Sequence, residues 1–403
     1  MARWICWFVA WAGASAATRV FSAGEGGVAC YRIPAVVATS KGTLIAFAEA
    51  RFEDCGDAAA QCRQRRRKRH ARVQAGAPET SAEGRRRVRK QRRAGGGARR
   101  TVRFGRLTVV EPASFPLQVH RVRSISAKRS TDGGLTWSTA TFVVGNARRR
   151  AGNPYPIATA GGDLALVYVE RESGAGVGNG TGLVWSKDDG VSWGLGALQD
   201  FGLATGSMPG PGAGIESLGR LLVMSHHGAY NIDYITVSDD GLKWQTLNKT
   251  FQGMDEAVLA DIKGGKLLAN FRHRAEASLG RGVSRSFDNG DSWTDIEYDA
   301  ALRGPVCQAS LAAVGGALFF ANPASSTKRE DLTIRRSDDG GYTWPSSLVV
   351  VSGPLQGGYS SLVAAAVGDS EHGGILYEAT KGDIDFSTFP LDLHTSPLSS
   401  EFS

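Results

Sequence analysis

Three kinds of side chain in this sequence could together act on an acidic substrate: four arginines, several acids, and a tyrosine preceded by glycine. The arginines are Arg32 in Tyr31-Arg32-Ile33-Pro34, Arg51 in Glu49-Ala50-Arg51, Arg272 in Asn270-Phe271-Arg272 and Arg329 in Lys328-Arg329-Glu330. A guanidinium pairs with a planar carboxylate through two parallel hydrogen bonds and never loses its charge, so arginines that converge suit an anion. The acids are Asp57, six residues past Arg51, the adjacent pair Asp255 and Glu256, and Glu378 in Leu376-Tyr377-Glu378. The tyrosine is Tyr359, in Gly358-Tyr359-Ser360. A phenol holds its proton to about pH 10 and needs a neighbouring base to become a nucleophile. A lone arginine in a β protein is usually a surface residue, so these scattered positions become a site only if the fold gathers them. No His/Cys cluster has metal-ligand spacing, and neither a metal nor a cofactor is expected.

The gathering element is a repeat. Ser130 to Trp137 reads S-T-D-G-G-L-T-W, and related boxes end at Trp193, Trp293 and Trp344. A weaker copy ends at Trp244, with Val237 in place of the first Ser and Asp239 and Gly241 at the box spacing. Successive Trp residues are 56, 51, 49 and 51 positions apart, a period that points to a solenoid or propeller. Within a box, the Asp carboxylate can bond turn N–H groups, Gly supplies positive φ, and Trp anchors the hairpin in a core. The boxes are structural. Between them lie short apolar or alternating runs such as Leu221 to Ser225 and Ala317 to Ala321, bounded by turn residues. The expectation is an all-β, six-bladed propeller over 17–395, its last blade assembled from both chain ends.

Composition adds an anomaly. The net charge of +8 hides a window, Cys62 to Arg123, with 20 Lys+Arg against 3 Glu, or +17, leaving −9 elsewhere. Such a basic block cannot bury a core and should be disordered. The segment 61–122 reads as a polyanion-binding loop, a solvated loop, or translated non-coding sequence from a retained intron, the last being favoured. It has few interleaved aromatics, so no nucleic-acid partner is expected. Residues 1–16 resemble a secretory signal, with Arg3, an apolar run from Trp4 to Ala12 and Ala14-Ser15-Ala16, which predicts a secreted or lysosomal-lumen protein. No run is apolar and long enough to span a bilayer. Five cysteines do not make a disulfide scaffold in 403 residues; a Cys30–Cys55 bridge is conceivable, but sequence does not place it.

The Tyr-Arg-Ile-Pro opening, the Glu-Ala-Arg strand end and the ordered Asp-boxes together resemble the sialidase (exo-α-neuraminidase) family of six-bladed propellers. The resemblance covers nearly all of the chain outside 1–16 and the insertion. It implies sialylated glycoconjugates as partners and substrates, and an anomeric carboxylate clamped by Arg32, Arg272 and Arg329. A neutral phenol approaches that carbon without the repulsion an ionised acid would meet, and sialidases are the tyrosine exception among glycosidases. The resemblance makes Tyr359 the nucleophile, Glu256 its base with Asp255 as the structural alternative, and Asp57 the acid/base with Asp54 as its rival. Asp57 would need a raised pKa to carry a proton. Glu378 would hold Arg32, Glu49 and Arg51 would line the pocket, and Asn153-Pro154-Tyr155-Pro156 would lie near the substrate. Thr159 and Glu216 depart from the family pattern, so both flanking loops read equally well as turn chemistry. The implied reaction is hydrolysis of terminal α-linked sialic acid with retention; alternatives are trans-sialidase transfer or a sialic-acid-binding propeller with little catalysis.

Overall fold

The structure, a computed structural model, describes residues 13–56, 123–146, 149–172, 180–202, 206–227, 231–274, 279–367, 370–379 and 382–393. Among these, strands make six antiparallel sheets arranged as a six-bladed propeller. The first blade runs Cys30–Ala38, Leu44–Arg51, Ser124–Ser130, Thr141–Val144; the second Arg149–Ala158, Leu164–Glu172, Gly180–Ser186, Ala197–Gln199. In the third, Ser207–Pro209 and Ile215–Ser217 both pair with Arg220–His227, followed by Ile232–Ser238 and Gln245–Gln252. The fourth is Met254–Lys263, Lys266–His273, Arg281–Ser286, Glu297–Asp299, and the fifth Ser310–Val314, Ala317–Pro323, Glu330–Ser337, Ser346–Pro354. The sixth joins Ser360–Val367, Ser370–Glu378 and Ile384–Phe389 to the N-terminal strand Thr18–Phe21. Both chain ends do close the ring.

A strand covered on both faces by neighbouring blades has no reason to alternate apolar and polar residues. Leu44–Arg51 shows this, with all eight residues buried. The boxes act between blades. Trp137 of the first blade meets Phe386 of the sixth edge-on at 5.4 Å, and Trp193 of the second meets Phe47 of the first at 5.5 Å. Inside the first box, Ser130 Oγ accepts from Gly134 N at 2.8 Å and Asp132 Oδ1 from Thr136 N at 2.9 Å. Gly134 has φ +94°, and a Cβ there would lie 2.1 Å from Phe386 Cε1. Only glycine fits.

The weak box corrects the sequence reading. Ser238 Oγ, not Val237, accepts from Gly241 N, and Asp240, not Asp239, accepts from Leu242 N and Lys243 N. This box is one residue shorter than the others. Asp239 instead faces outward and pairs with Arg220 at 2.8 Å.

The second and third strands of the first blade pair in register, Ala50 opposite Ser124, although 72 residues separate Arg51 from Ser124. In the other five blades the same connection takes four to seven residues. The expected insertion 61–122 therefore falls in one hairpin connection, in residues outside the described ones. Most of the expected leader also lies outside them, while Ser15 exchanges hydrogen bonds with Thr388. Among the described residues no helix is long and apolar enough to cross a membrane, and no group of three or more His, Cys, Asp or Glu is placed to hold a metal.

Candidate active site

The first strands of the blades line the ring's interior and neighbour one another. Three of them bulge near their N-terminal ends: between Arg32 and Ala35, Gly152 and Tyr155, and Asp255 and Ala257. Each bulge holds a non-glycine residue in the left-handed region, Ile33 at φ 56°, Asn153 at 46° and Glu256 at 33°. Such residues are uncommon, and bulges beside active sites re-aim side chains. At one rim of the ring, three blades thus share one local device.

Tyr359 sits at the centre. Its Oη donates to Glu256 Oε1 at 2.5 Å, and Arg272 Nη1 donates to the same Oη at 3.2 Å. Arg272 Nη1 also pairs with Glu256 Oε2. Arg32 and Arg329 flank the ring, their Cζ atoms 5.4 and 5.7 Å from its centroid. Burial and then the Glu256 charge push the Tyr359 phenol well above its usual range. Burial also pushes Glu256 up, but Arg272, His226 and the Tyr359 hydroxyl outweigh it, leaving the carboxyl below its ordinary value. The resting pair is a neutral phenol donating to an ionised carboxylate, the arrangement in which a base can take a proton as the phenol attacks.

Each arginine is held from behind. Glu378 Oε1 accepts from Arg32 Nε at 2.9 Å and Ile33 N at 3.0 Å; its Oε2 accepts from Arg32 Nη2 and Tyr359 N, both at 3.3 Å. One carboxylate therefore registers an arginine and the tyrosine's backbone together. Gly357 makes room for it, since a Cβ there would stand 1.6 Å from Glu378 Oε2. Arg329 donates to the carbonyls of Gly357 and Val306 at 2.7 and 3.1 Å, which orient it without neutralising it. Asp255 backs Arg272, with Arg272 Nε at 3.5 Å and Arg274 Nε at 2.9 Å from its Oδ2. Burial, then the Glu256 charge, raise Asp255 to about 6 against the pull of both arginines. The two neighbouring acids are thus distinguished: Glu256 touches the tyrosine, Asp255 touches arginines.

The structure brings Arg32, Arg272, Arg329, Glu256, Tyr359 and Glu378 together. Arg51, expected in the pocket lining, is paired with Glu49. It is buried, with Nε and Nη2 on Glu49 Oε2 at 2.8 and 2.6 Å, and Nη1 on the Cys55 carbonyl at 2.9 Å. Burial pushes Glu49 up, but Arg51 and Arg123 and the Asn153 N–H, 2.8 Å from Oε1, bring it down to about 2. Asn153 Nδ2 donates to the Pro209 carbonyl at 3.1 Å, so Asn153 ties three blades together beside the site. Asp57 lies outside the described residues; Cys55, two positions before it, is bridged to Cys30. Asp54 is exposed. Thr159 and Glu216 belong to the far end of their blades: Thr159 closes a turn with Asp163, and Glu216 accepts from Ala160 N at 2.6 Å.

Sequence reasoning missed the supports contributed by neighbouring blades. Gln308 clasps Ser360, accepting from its N at 3.0 Å and donating to its O at 2.9 Å, which fixes the strand start that carries Tyr359. Cys307 is buried against Ile33 and Tyr359. His226 is buried with Nε2 4.0 Å from Asp255 and is pushed down to about 4 by burial. None of these positions stands in a local pattern.

A ring of Asp-box blades whose rim brings three arginines to a tyrosine–glutamate pair defines an Asp-box propeller with a cationic candidate site. Residues 122–371 match the model of the BNR repeat-like domain. A sialidase of Micromonospora viridifaciens is 30% identical over 309 residues, covering 66% of this chain and 46% of that protein. A sialidase of Bacteroides fragilis is 26% identical over 390 residues, covering 92% and 63%. Among solved structures, a Hadza microbial sialidase superposes with a TM-score of 0.69 at 24% identity, over 93% of this chain and 68% of that one. The chain belongs to the sialidase family with BNR, or Asp-box, repeats. It spans about half to two-thirds of the length of the curated relatives.

Proposed function

We propose that this chain is an exo-α-sialidase, a glycoside hydrolase that removes terminal α-linked sialic acid with retention through a tyrosyl intermediate. The observation that carries the reading is Tyr359 Oη at 2.5 Å from an ionised Glu256, with Arg272 on both. In this reading Arg32, Arg272 and Arg329 bind the substrate carboxylate. Tyr359 Oη attacks the anomeric carbon while its proton passes to Glu256, and the glycosidic oxygen leaves with a proton from Asp57. Water then opens the Tyr–sugar bond, giving its proton to Asp57, and the phenolate recovers the proton held by Glu256. The role of Asp57 rests on the sequence resemblance. No step calls for a cofactor. The leader-like N-terminus supports a secreted or lysosomal location within the same proposal.

The test is release of a fluorescent aglycone from an aryl α-sialoside by the full chain and by a chain lacking 61–122. Tyr359→Phe is expected to lose at least about a thousandfold in turnover and Glu256→Gln about a hundred- to ten-thousandfold. NMR of the first product should show the α anomer, and added lactose should collect no sialic acid. Transfer to lactose would point to a trans-sialidase. A folded chain that binds sialic acid without turnover would replace the hydrolase by a binding propeller.

A further inference from the structure

On the second blade, Arg150 of the first strand stands directly opposite Arg171 of the second. Residues so paired share one face of the sheet, and like charges there repel. Arg149, on the other face, shows the ordinary solution: it pairs with Glu170 at 2.9 Å. Arg150 and Arg171 have no such partner among the described residues. The Nε atoms of both are buried without a hydrogen-bond acceptor, while both residues remain half-buried rather than enclosed. Arg171 Nη2 reaches only the Met208 thioether, at 2.9 Å, and a thioether is a weak acceptor. Two half-buried guanidinium groups on one face, with no carboxylate partner among the described residues, form a receptor for a planar or tetrahedral anion.

Their place connects them to the reaction centre. Arg150 precedes Asn153 by three residues on the same bulged strand. Met208, beneath Arg171, lies opposite His226 in the third blade, and His226 is 4.0 Å from Asp255, the neighbour of Glu256. The triad of arginines on Tyr359 is a separate group, with Glu378, Asp255 and backbone carbonyls behind it.

We infer that Arg150 and Arg171 form a second anion subsite, which takes a carboxylate or sulfate carried by the sugar next to the one removed. The inference rests on the sialidase reading and specifies its substrate class: glycans with two acidic groups in neighbouring positions. It adds no chemical step.

The experiment compares kcat/KM for three substrates: 3′-sialyllactose, the α2,8-linked disialyl-lactose, and 3′-sialyllactose bearing a 6-O-sulfate on galactose. With the unaltered chain, at least one doubly acidic substrate should exceed the singly acidic one about tenfold, through KM. In Arg150→Gln/Arg171→Gln that ratio should fall to about one, while Arg171→Lys, which keeps charge and loses the fork, should fall between. Preference for the disialyl substrate identifies a carboxylate as the ligand, and preference for the sulfated one a sulfate. A chain that cleaves 3′-sialyllactose with no preference for either acidic substrate, or with a preference the double variant keeps, overturns the subsite. Failure to cleave any of the three counts instead against the sialidase reading. Circular dichroism of each variant separates lost recognition from lost fold.

Discussion

At the scale of single residues, what decides the chemistry is who stands behind each charged group. Glu378 shows it most directly, because its two oxygens serve Arg32, Ile33 N and Tyr359 N together. Glu378→Gln keeps the shape but replaces one acceptor oxygen by a donor, so Arg32 and the Tyr359 backbone both shift. We expect about a hundredfold loss in kcat/KM on an aryl α-sialoside, since small misplacements of reacting groups cost about that much. Glu49 gives a prediction about pH. Its folded pKa of about 2 lies below the ordinary 4.5, so its contribution is fully present above about pH 4.5 and is lost as pH falls through 2. Glu49→Gln should be less stable at neutral pH, and urea titrations should show the gap narrowing by about 3 kcal/mol between pH 4.5 and 2. A constant gap would mean Glu49 is not held ionised by Arg51. The sequence exposed Arg32, Arg272, Arg329, Glu256, Tyr359 and Glu378 because each lies in a short stretch resembling a family motif. It did not reveal that Arg51 is paired with Glu49 on its own strand. Gln308 and His226 were invisible, because their partners lie on another blade and leave no trace in local spacing.

At the scale of the element, the Asp-box was the most legible feature, because every bond that defines it falls within eight residues. The exception is instructive. In Ser238-Asp239-Asp240-Gly241, counting back from Trp244 selects Asp239, whereas counting forward from Ser238 selects Asp240. The structure resolves the ambiguity through Gly241 N, which donates to Ser238. Asp240→Ala, which removes the acceptor of Leu242 N, Lys243 N and Ser238 Oγ, should therefore lower the urea midpoint more than Asp239→Ala, which removes only an exposed ion pair. The reverse order would restore the longer box. Gly134→Ala is a stronger test of the same element. With φ +94° and Phe386 2.1 Å from the new methyl, it should lose about 3 kcal/mol or more and loosen the seam between first and sixth blades. The three bulges at the site were not legible. Tyr-Arg-Ile-Pro and Gly-Asn-Pro-Tyr each place a residue before proline, which ordinarily favours extended backbone, yet Ile33 and Asn153 take positive φ. That conformation is imposed by the ring, not by the local sequence.

At the scale of the whole molecule, blade count and ring closure followed from the repeat period, while the expected insertion lies between two paired strands of the first blade. Because Leu44–Arg51 and Ser124–Ser130 pair in register, the residues between them are a single connection of the first blade. Removing 61–122 shortens it from 72 residues to 10. Closure entropy grows only with the logarithm of length, so the shortened chain should gain at most about 2 kcal/mol and keep a single cooperative melt. Loss of that cooperative transition would show that the basic segment belongs to the fold. The blade shared by the two ends carries a consequence in time rather than in energy. Thr18–Phe21 is among the first strands made, and its partner Ile384–Phe389 among the last. At about 5–20 residues per second, the early strand waits roughly 20–70 s on the ribosome with an unpaired edge. A propeller so joined cannot be finished blade by blade as it emerges. Closing the ring has to wait until Ile384–Phe389 has emerged, long after Thr18–Phe21.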